Sequence, residues 1–150
     1  MTTTFSCLPF DELSSRQLYD VMVLRQEVFV VEQRCPYQDA DGKDLQGWHV
    51  LGTAADGSPV AYARILPRGV SYPDHASIGR VVTSPSERRN GTGRQLMAAT
   101  LDHLARLLPN DPVKISAQSY LQAFYESFGF RVAGDGYLED DIPHLPMVRD

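Results

Sequence analysis

The segment from Ala76 to Ala117 constrains the fold of this chain more than any other. ASIGRVVT (Ala76 to Thr83) is rich in β-branched residues and reads as a strand. It leads through SPSERRNGTG into a helix whose apolar face carries Leu96, Met97, Leu101, Leu104 and Leu108, and Asn110 and Pro112 end that helix. VKISA (Val113 to Ala117) follows as a second strand. Strand, glycine-rich turn, helix and strand close as a right-handed crossover, so the two strands should be parallel neighbours.

The rest of the chain reads as hairpins and helices around that unit. Ser14 to Glu32 shows a helical stripe of Leu18, Val21, Met22, Val28 and Phe29, with Ser14 or Ser15 as N-cap. CPYQDADGKDLQG (Cys35 to Gly47) reads as an irregular, solvated acidic loop. WHVLGTA and SPVAYARILP flank Asp56-Gly57, a hairpin signal. SYLQAFYESF predicts a further helix stopped by Gly129, with short strands at Phe130 to Val132 and around Leu145 to Val148. The expected fold is α+β, a mixed, mostly antiparallel sheet with one parallel strand pair flanked by helices. At 150 residues it should form a single domain.

The turn before the long helix, ERRNGTGRQL (Glu87 to Leu96), is a candidate anion site. A helix N-terminus offers unpaired N–H groups and a partial positive charge. Gly91 and Gly93 permit close approach, and Arg88, Arg89 and Arg94 add guanidinium forks suited to phosphate oxygens. No lysine follows Gly93, as a Walker loop would need, and Leu96 stands where a dinucleotide fingerprint needs its third glycine. The pattern is Arg88-x-x-Gly91-x-Gly93 after a strand, a pyrophosphate cradle. The plainer alternative is a tight loop with solvated arginines.

VVTSPSERRNGTGRQLM resembles the acetyl-CoA motif of the GNAT acetyltransferases. FYESFGF is similar to that superfamily's late helix, while LRQEVFVVEQRCPYQDADGKD and DDIPHLPM resemble its ElaA-like branch. The resemblance implies a GNAT-like fold, with acetyl-CoA as acetyl donor. By the same resemblance, backbone groups of Val81, Val82 and Thr83 would hold the pantetheine arm and polarise the acetyl carbonyl. The turn of Arg88, Arg89, Asn90, Gly91, Thr92, Gly93 and Arg94 would hold the pyrophosphate. Where the family commonly has a pantetheine-binding Asn, this chain has Gln118. Tyr125 matches the tyrosine that stands near the CoA sulfur as general acid. The activity implied is an N-acetyltransferase working by direct attack of an amine in a ternary complex, and the alternative is a non-catalytic acyl-CoA-binding or sensor module.

Acetyl transfer to an amine needs a neutral nucleophile, an oxyanion donor and a proton for the leaving thiolate. Candidates for the base are open. Glu32 and Arg25 lie seven residues apart on one helix face, where they either contact an acceptor or neutralise each other or other partners. His49 and His144 are imidazoles of the type that can remove a proton from an amine, and His144 is a substrate-binding candidate as well. Neither Cys7 nor Cys35 has a histidine near it in sequence, so no covalent acetyl-enzyme is expected. DADGKD lacks the twelfth-position glutamate of a calcium loop, and no Cys and His spacing suggests zinc, so no metal site is expected.

The net charge of −5 argues against a nucleic-acid surface, and no apolar run is long enough for a membrane span. The opening MTTTFSCLPF lacks the pattern of a secretory signal, so a cytoplasmic protein with reduced cysteines is expected. The expected partner is an amine-bearing small molecule or peptide, and a homodimer is an allowed assembly.

Overall fold

A computed structural model describes residues 3–150. Strands β1 (Thr4–Pro9), β2 (Trp48–Thr53), β3 (Pro59–Leu66) and β4 (Ala76–Thr83) form an antiparallel half-sheet in sequence order. Strands β5 (Val113–Gln118), β6 (Arg131–Val132), β7 (Tyr137–Glu139) and β8 (Ile142–Arg149) form the other half. The path runs β1-β2-β3-β4-β5-β8-β6, and β7 also pairs with β8. The join between the halves is the parallel pair β4 and β5, through the crossover helix α2 (Thr92–Leu107), as the sequence predicts.

That join is short. The register pairs only Ala76 with Val113 and Ser77 with Lys114, after which the strands part. A cleft therefore opens toward their carboxyl ends, where open sheets commonly bind ligands. Helix α1 (Ser15–Gln26) covers one face of the sheet, packing Val21 and Leu24 against Leu51, Tyr62 and Val82. On the other face α2 buries Leu96, Met97, Leu101 and Leu104 among β-strand residues such as Val50, Ile65 and Ile115. The short helix α3 (Gln122–Glu126) adds Tyr125 to that second core. No helix among the described residues is long and apolar enough to cross a membrane.

Ser14 caps α1 through a reciprocal box: its Oγ accepts from the Gln17 amide at 3.0 Å, and its own amide donates to Gln17 Oε1 at 2.9 Å. The predicted helix to Glu32 is continuous, but it changes winding. Residues Glu27–Glu32 form a π-helical segment, whose wider turns appear in the Gln33 amide to Val28 carbonyl bond and the Cys35 amide to Val30 carbonyl bond. The run Val28, Phe29, Val30, Val31 consists of poor α-formers that crowd the preceding turn. The change of winding corrects the expected alignment of Arg25 with Glu32: they face different surroundings.

The acidic loop is not solvated, a second correction. Asp39 and Asp44 are buried, and Arg25 is 1% exposed. Arg25 donates from Nε to Asp39 and from Nη1 to Asp44, both at 2.8 Å, and Arg64 Nη1 donates to Asp41 and to Asp44 at 2.9 Å. The sheet-facing arginines thus pin the loop to the fold. β7 was also unforeseen, because it is short and lies in a stretch rich in glycine and aspartate. Asp140 and Asp141 close its hairpin with β8, both at positive φ, as a tight two-residue turn requires.

Candidate active site

A cavity of about 540 Å³ fills the cleft between β4 and β5. It meets Ile115, Leu121, Phe124 and Tyr125 from the α3 side of the sheet. From the α1 side it meets Phe29 and Glu32 of the π-helical segment, together with Tyr37, Arg80, Glu139 and His144. Two compartments therefore share one space, joined where the strands no longer pair.

The wall on β4 carries a β-bulge. Tyr62 pairs with Val82 and Arg64 with Gly79, so Arg80 and Val81 together oppose Ala63. Arg80 takes a φ of 52°, a conformation costly for a side chain other than glycine. Ionic contacts hold it there: Arg80 Nη2 donates to the Asp39 carbonyl at 3.0 Å and to Asp41 Oδ2 at 3.3 Å. Its Nε lies 2.8 Å from Asp39 Oδ1 but is misaligned for a hydrogen bond. A bulge leaves backbone polar groups outside the ladder. Here it lies beside Val81, Val82 and Thr83, which line the cavity.

At the far end, α2 begins with Gly91 as N-cap at a φ of 78°, and no side chain caps it. The first N–H groups of such a helix have no intrahelical acceptor. A Cβ on Gly93 would meet only Thr83 Cγ2, at 3.9 Å, so the approach to these donors is open. Arg89 and Asn90 are exposed at the turn, while Thr92 is buried within the first turn. Arg94 donates to Ser127 Oγ at 3.1 Å and lies over the rings of Phe124 and Phe128, which ties the turn to α3. This set fits a diphosphate: uncapped donors, a left-handed glycine and flanking guanidinium groups. Gln118 lines the cavity at the end of β5, at the wall between the compartments.

Tyr125 is 7% exposed and lines the cavity, and its hydroxyl has no hydrogen-bond partner among the described residues. Burial pushes its pKa up to about 12, so it stays protonated at neutral pH. The hydroxyl is a proton donor without an acceptor among the described residues.

The base candidates separate. His49 is 1% exposed and does not line the cavity. Its Nε2 lies 2.9 Å from the Asp44 carbonyl, which can only accept, so Nε2 carries the proton and Nδ1 accepts from the Tyr62 hydroxyl at 2.6 Å. Burial lowers its pKa. With both nitrogens committed inside the core, His49 has no lone pair for a substrate, which corrects that expectation. Arg25 likewise stands outside the cavity lining, locked to Asp39 and Asp44.

Glu32 does line the cavity, but its carboxylate is bound by both Nη groups of Arg88, and that hydrogen bonding holds its pKa below the usual range. His144 lines the cavity from β8, in register with Gln118. Sequence reasoning missed Tyr37, Arg80, Ser116 and Glu139 in this wall. Gly79, a lone glycine inside β4 next to the bulge, is the one local signal that marks it, and β7 is too short to show a period. Among the described residues no group of His, Cys, Asp and Glu gathers as a metal-holding cluster.

A cleft between splayed parallel strands, a bulged wall strand and an uncapped glycine-led helix define an acyl-CoA-type transferase scaffold. The chain belongs to the GNAT acetyltransferase family: residues 16–150 match the model described as an acetyltransferase (GNAT) domain. It is similar to protein ElaA of Escherichia coli, 48% identical over 145 residues that span 95% of this chain and 94% of that one. A UPF0039 protein of Synechocystis is 43% identical over 148 residues, 99% of this chain and 96% of its own. Among solved structures, E. coli ElaA superposes with a TM-score of 0.93 at 44% identity, covering 99% of this chain and 100% of that chain. An acyl-CoA N-acyltransferase from Pseudomonas aeruginosa gives a TM-score of 0.91 at 44% identity, over 98% and 99%.

Proposed function

We propose that this protein is an acetyl-CoA-dependent N-acetyltransferase, in which an amine attacks the thioester directly within a ternary complex. The observation that carries this reading is Tyr125, a buried residue whose hydroxyl has no hydrogen-bond partner among the described residues and which lines the same cavity as Gly93 and Thr83 at the head of α2. A proton donor thus shares one space with a diphosphate cradle.

The residues divide the work. Backbone amides from Arg89 to Arg94 hold the diphosphate, with Arg88 as an added guanidinium. Val81, Val82 and Thr83 align the pantetheine arm by strand-like pairing, and Gln118 bonds it from the opposite wall. The bulge at Arg80 and Val81 supplies an amide outside the ladder for the thioester oxygen. Tyr125 delivers a proton to the leaving thiolate. Acetyl-CoA, when bound, supplies the activated acyl group. The acceptor enters from the α1 side, an amine on a small molecule or peptide. A domain spanning residues 1–150, working in the cytoplasm, accords with this reading.

Melting in the presence of acetyl-CoA, ATP and NAD tests the cradle. A ligand at about a hundred times its Kd stabilises by about 2.7 kcal/mol. Acetyl-CoA alone should raise the melting temperature, and thiol release against a panel of amines should then show turnover. A rise without turnover for any amine would favour the acyl-CoA sensor, and no rise at all would contradict the cofactor assignment.

A further inference from the structure

The acceptor compartment contains a pair of facing acceptors. His144 Nδ1 lies 2.7 Å from the Ile142 carbonyl, which can only accept, so the neutral ring carries its proton on Nδ1. Nε2 is then a bare lone pair, and 3.4 Å away stands Glu139 Oε2. With the ring neutral, two acceptors face each other with no donor among the described residues between them. A positively charged N–H donor satisfies both at once, and a primary ammonium fits that description.

The surroundings hold the pair in place. Ser116 Oγ donates to Glu139 Oε1 at 3.3 Å and is itself hydrogen-bonded to the Tyr137 hydroxyl. The Tyr137 ring stacks on His144 with centroids 6.2 Å apart. Strand alternation puts these residues on one sheet face: Tyr137 pairs with His144, Glu139 with Ile142, and Gln118 with His144. The charged groups that line the cavity with His144 are Glu139 and Asp140 on its own hairpin, Arg80, and the mutually paired Glu32 and Arg88. Arg80 is already neutralised by Asp39 and Asp41. Tyr72 is uncharged at neutral pH, since burial, with the charges of Tyr137 and Glu139, raises its pKa. The compartment's free charge is thus negative, and the Tyr125 hydroxyl, without a hydrogen-bond partner among the described residues, belongs to a residue lining the same cavity.

We propose that His144 and Glu139 bind the acceptor as a primary ammonium and that His144 Nε2 is the base that deprotonates it. This rests on the acetyltransferase reading above and adds the base and the acceptor anchor. One ammonium proton passes to Nε2, and Glu139 stabilises the imidazolium. The freed nitrogen lone pair forms the C–N bond to the thioester carbon. The C–S bond then breaks, and sulfur takes the Tyr125 proton. The surplus proton left on nitrogen restores Tyr125 through solvent, so the net proton released is the one on His144. His144 is the catalytic residue of the pair, and Ser116 and Tyr137 are positioning residues.

The test is thiol release from acetyl-CoA at pH 7.5 to 9.5 by wild type, His144→Gln and Glu139→Gln, with putrescine, 1,3-diaminopropane, lysine amide and glycine amide as probes. With the best probe, His144→Gln should lower kcat/KM about 100-fold at pH 7.5, a base's typical share. The ratio of wild type to variant should shrink at least tenfold by pH 9.5, because solvent then supplies the free amine. Glu139→Gln should act mainly by raising KM for the amine. Both variants should keep the acetyl-CoA-induced rise in melting temperature. A wild-type rate for His144→Gln, or a loss constant with pH, overturns the proposal. No turnover with any probe overturns it too; the acetyl-CoA-induced rise then reports separately on the cofactor site. Nitrogen-15 spectra of histidine-labelled wild type give a check free of variants: neutral His144 must carry its proton on Nδ1, and an Nε2–H form overturns the assignment.

Discussion

Arg88 and Glu32, 56 residues apart, hold each other through two N–H···O contacts of 2.5 Å at the mouth of the cavity. The same arginine is the first residue of the Arg88-x-x-Gly91-x-Gly93 turn, so a diphosphate bound there as proposed would compete with Glu32 for its guanidinium. Both side chains are more than 40% exposed, which limits the pair to at most about 1 kcal/mol. Glu32→Ala should therefore tighten acetyl-CoA binding by no more than about fivefold, while Arg88→Ala weakens it by a comparable factor. Calorimetric titration of both variants checks the opposite signs.

Tyr125→Phe removes a hydroxyl that has no partner among the described residues. It should cost less than about 1 kcal/mol of stability, because no protein hydrogen bond is lost. Thiol release should slow by about 100-fold while acetyl-CoA binding is retained. Because burial pushes this hydroxyl up to about 12, the wild-type rate should show no alkaline fall from Tyr125 below about pH 11. Rates and melting temperatures measured on one preparation separate the two effects.

Asp44 is shared by two buried arginines, at 2.8 Å from Arg25 and 2.9 Å from Arg64. Asp44→Ala leaves buried positive charge uncompensated and should destabilise by about 3 to 5 kcal/mol. Urea midpoints with an unchanged slope would measure it. Because Asp39 and Asp41 anchor Arg80, the variant should also loosen the bulged wall and lower activity in the fraction that stays folded.

The sequence carries the crossover, the hairpin and the glycine-led turn because each has a local cause. Apolar spacing marks α2, Asp56-Gly57 marks the β2 and β3 turn, and the glycines mark the head of α2. What stays hidden depends on long-range pairing. Arg25, Asp39, Asp44 and Arg64 meet only after the loop folds back, so an acidic stretch that looks solvated is buried. Glu32 parts from Arg25 because a valine-rich run winds as a π-helix, and period alone cannot foresee that. Glu139 enters the site through a three-residue strand defined by its partner β8.

His49 predicts a pH response. Burial lowers its folded pKa, so below the unfolded value near 6.5 the unfolded chain binds a proton that the folded chain does not. Stability should fall as pH drops from about 7 toward 5, and His49→Gln should flatten that slope. A second loss should follow at lower pH. Burial raises the Asp41 carboxyl, but the Arg64 hydrogen bonds and charge outweigh it and bring it to about 2. Its contribution is present above the ordinary carboxylate value and disappears as pH falls through about 2. Urea midpoints at a series of pH values from 7.5 to about 2 follow both.

The central claim is that the cleft between β4 and β5 holds acetyl-CoA, its diphosphate at the head of α2 and its thioester between Val81 and Tyr125. A crystal structure of the acetyl-CoA complex measures this directly. Phosphate oxygens should lie within hydrogen-bond distance of amides between Arg89 and Arg94, and sulfur within reach of the Tyr125 hydroxyl. Cofactor bound elsewhere, or a cleft that stays closed by Arg88 and Glu32 at saturating acetyl-CoA, would contradict it.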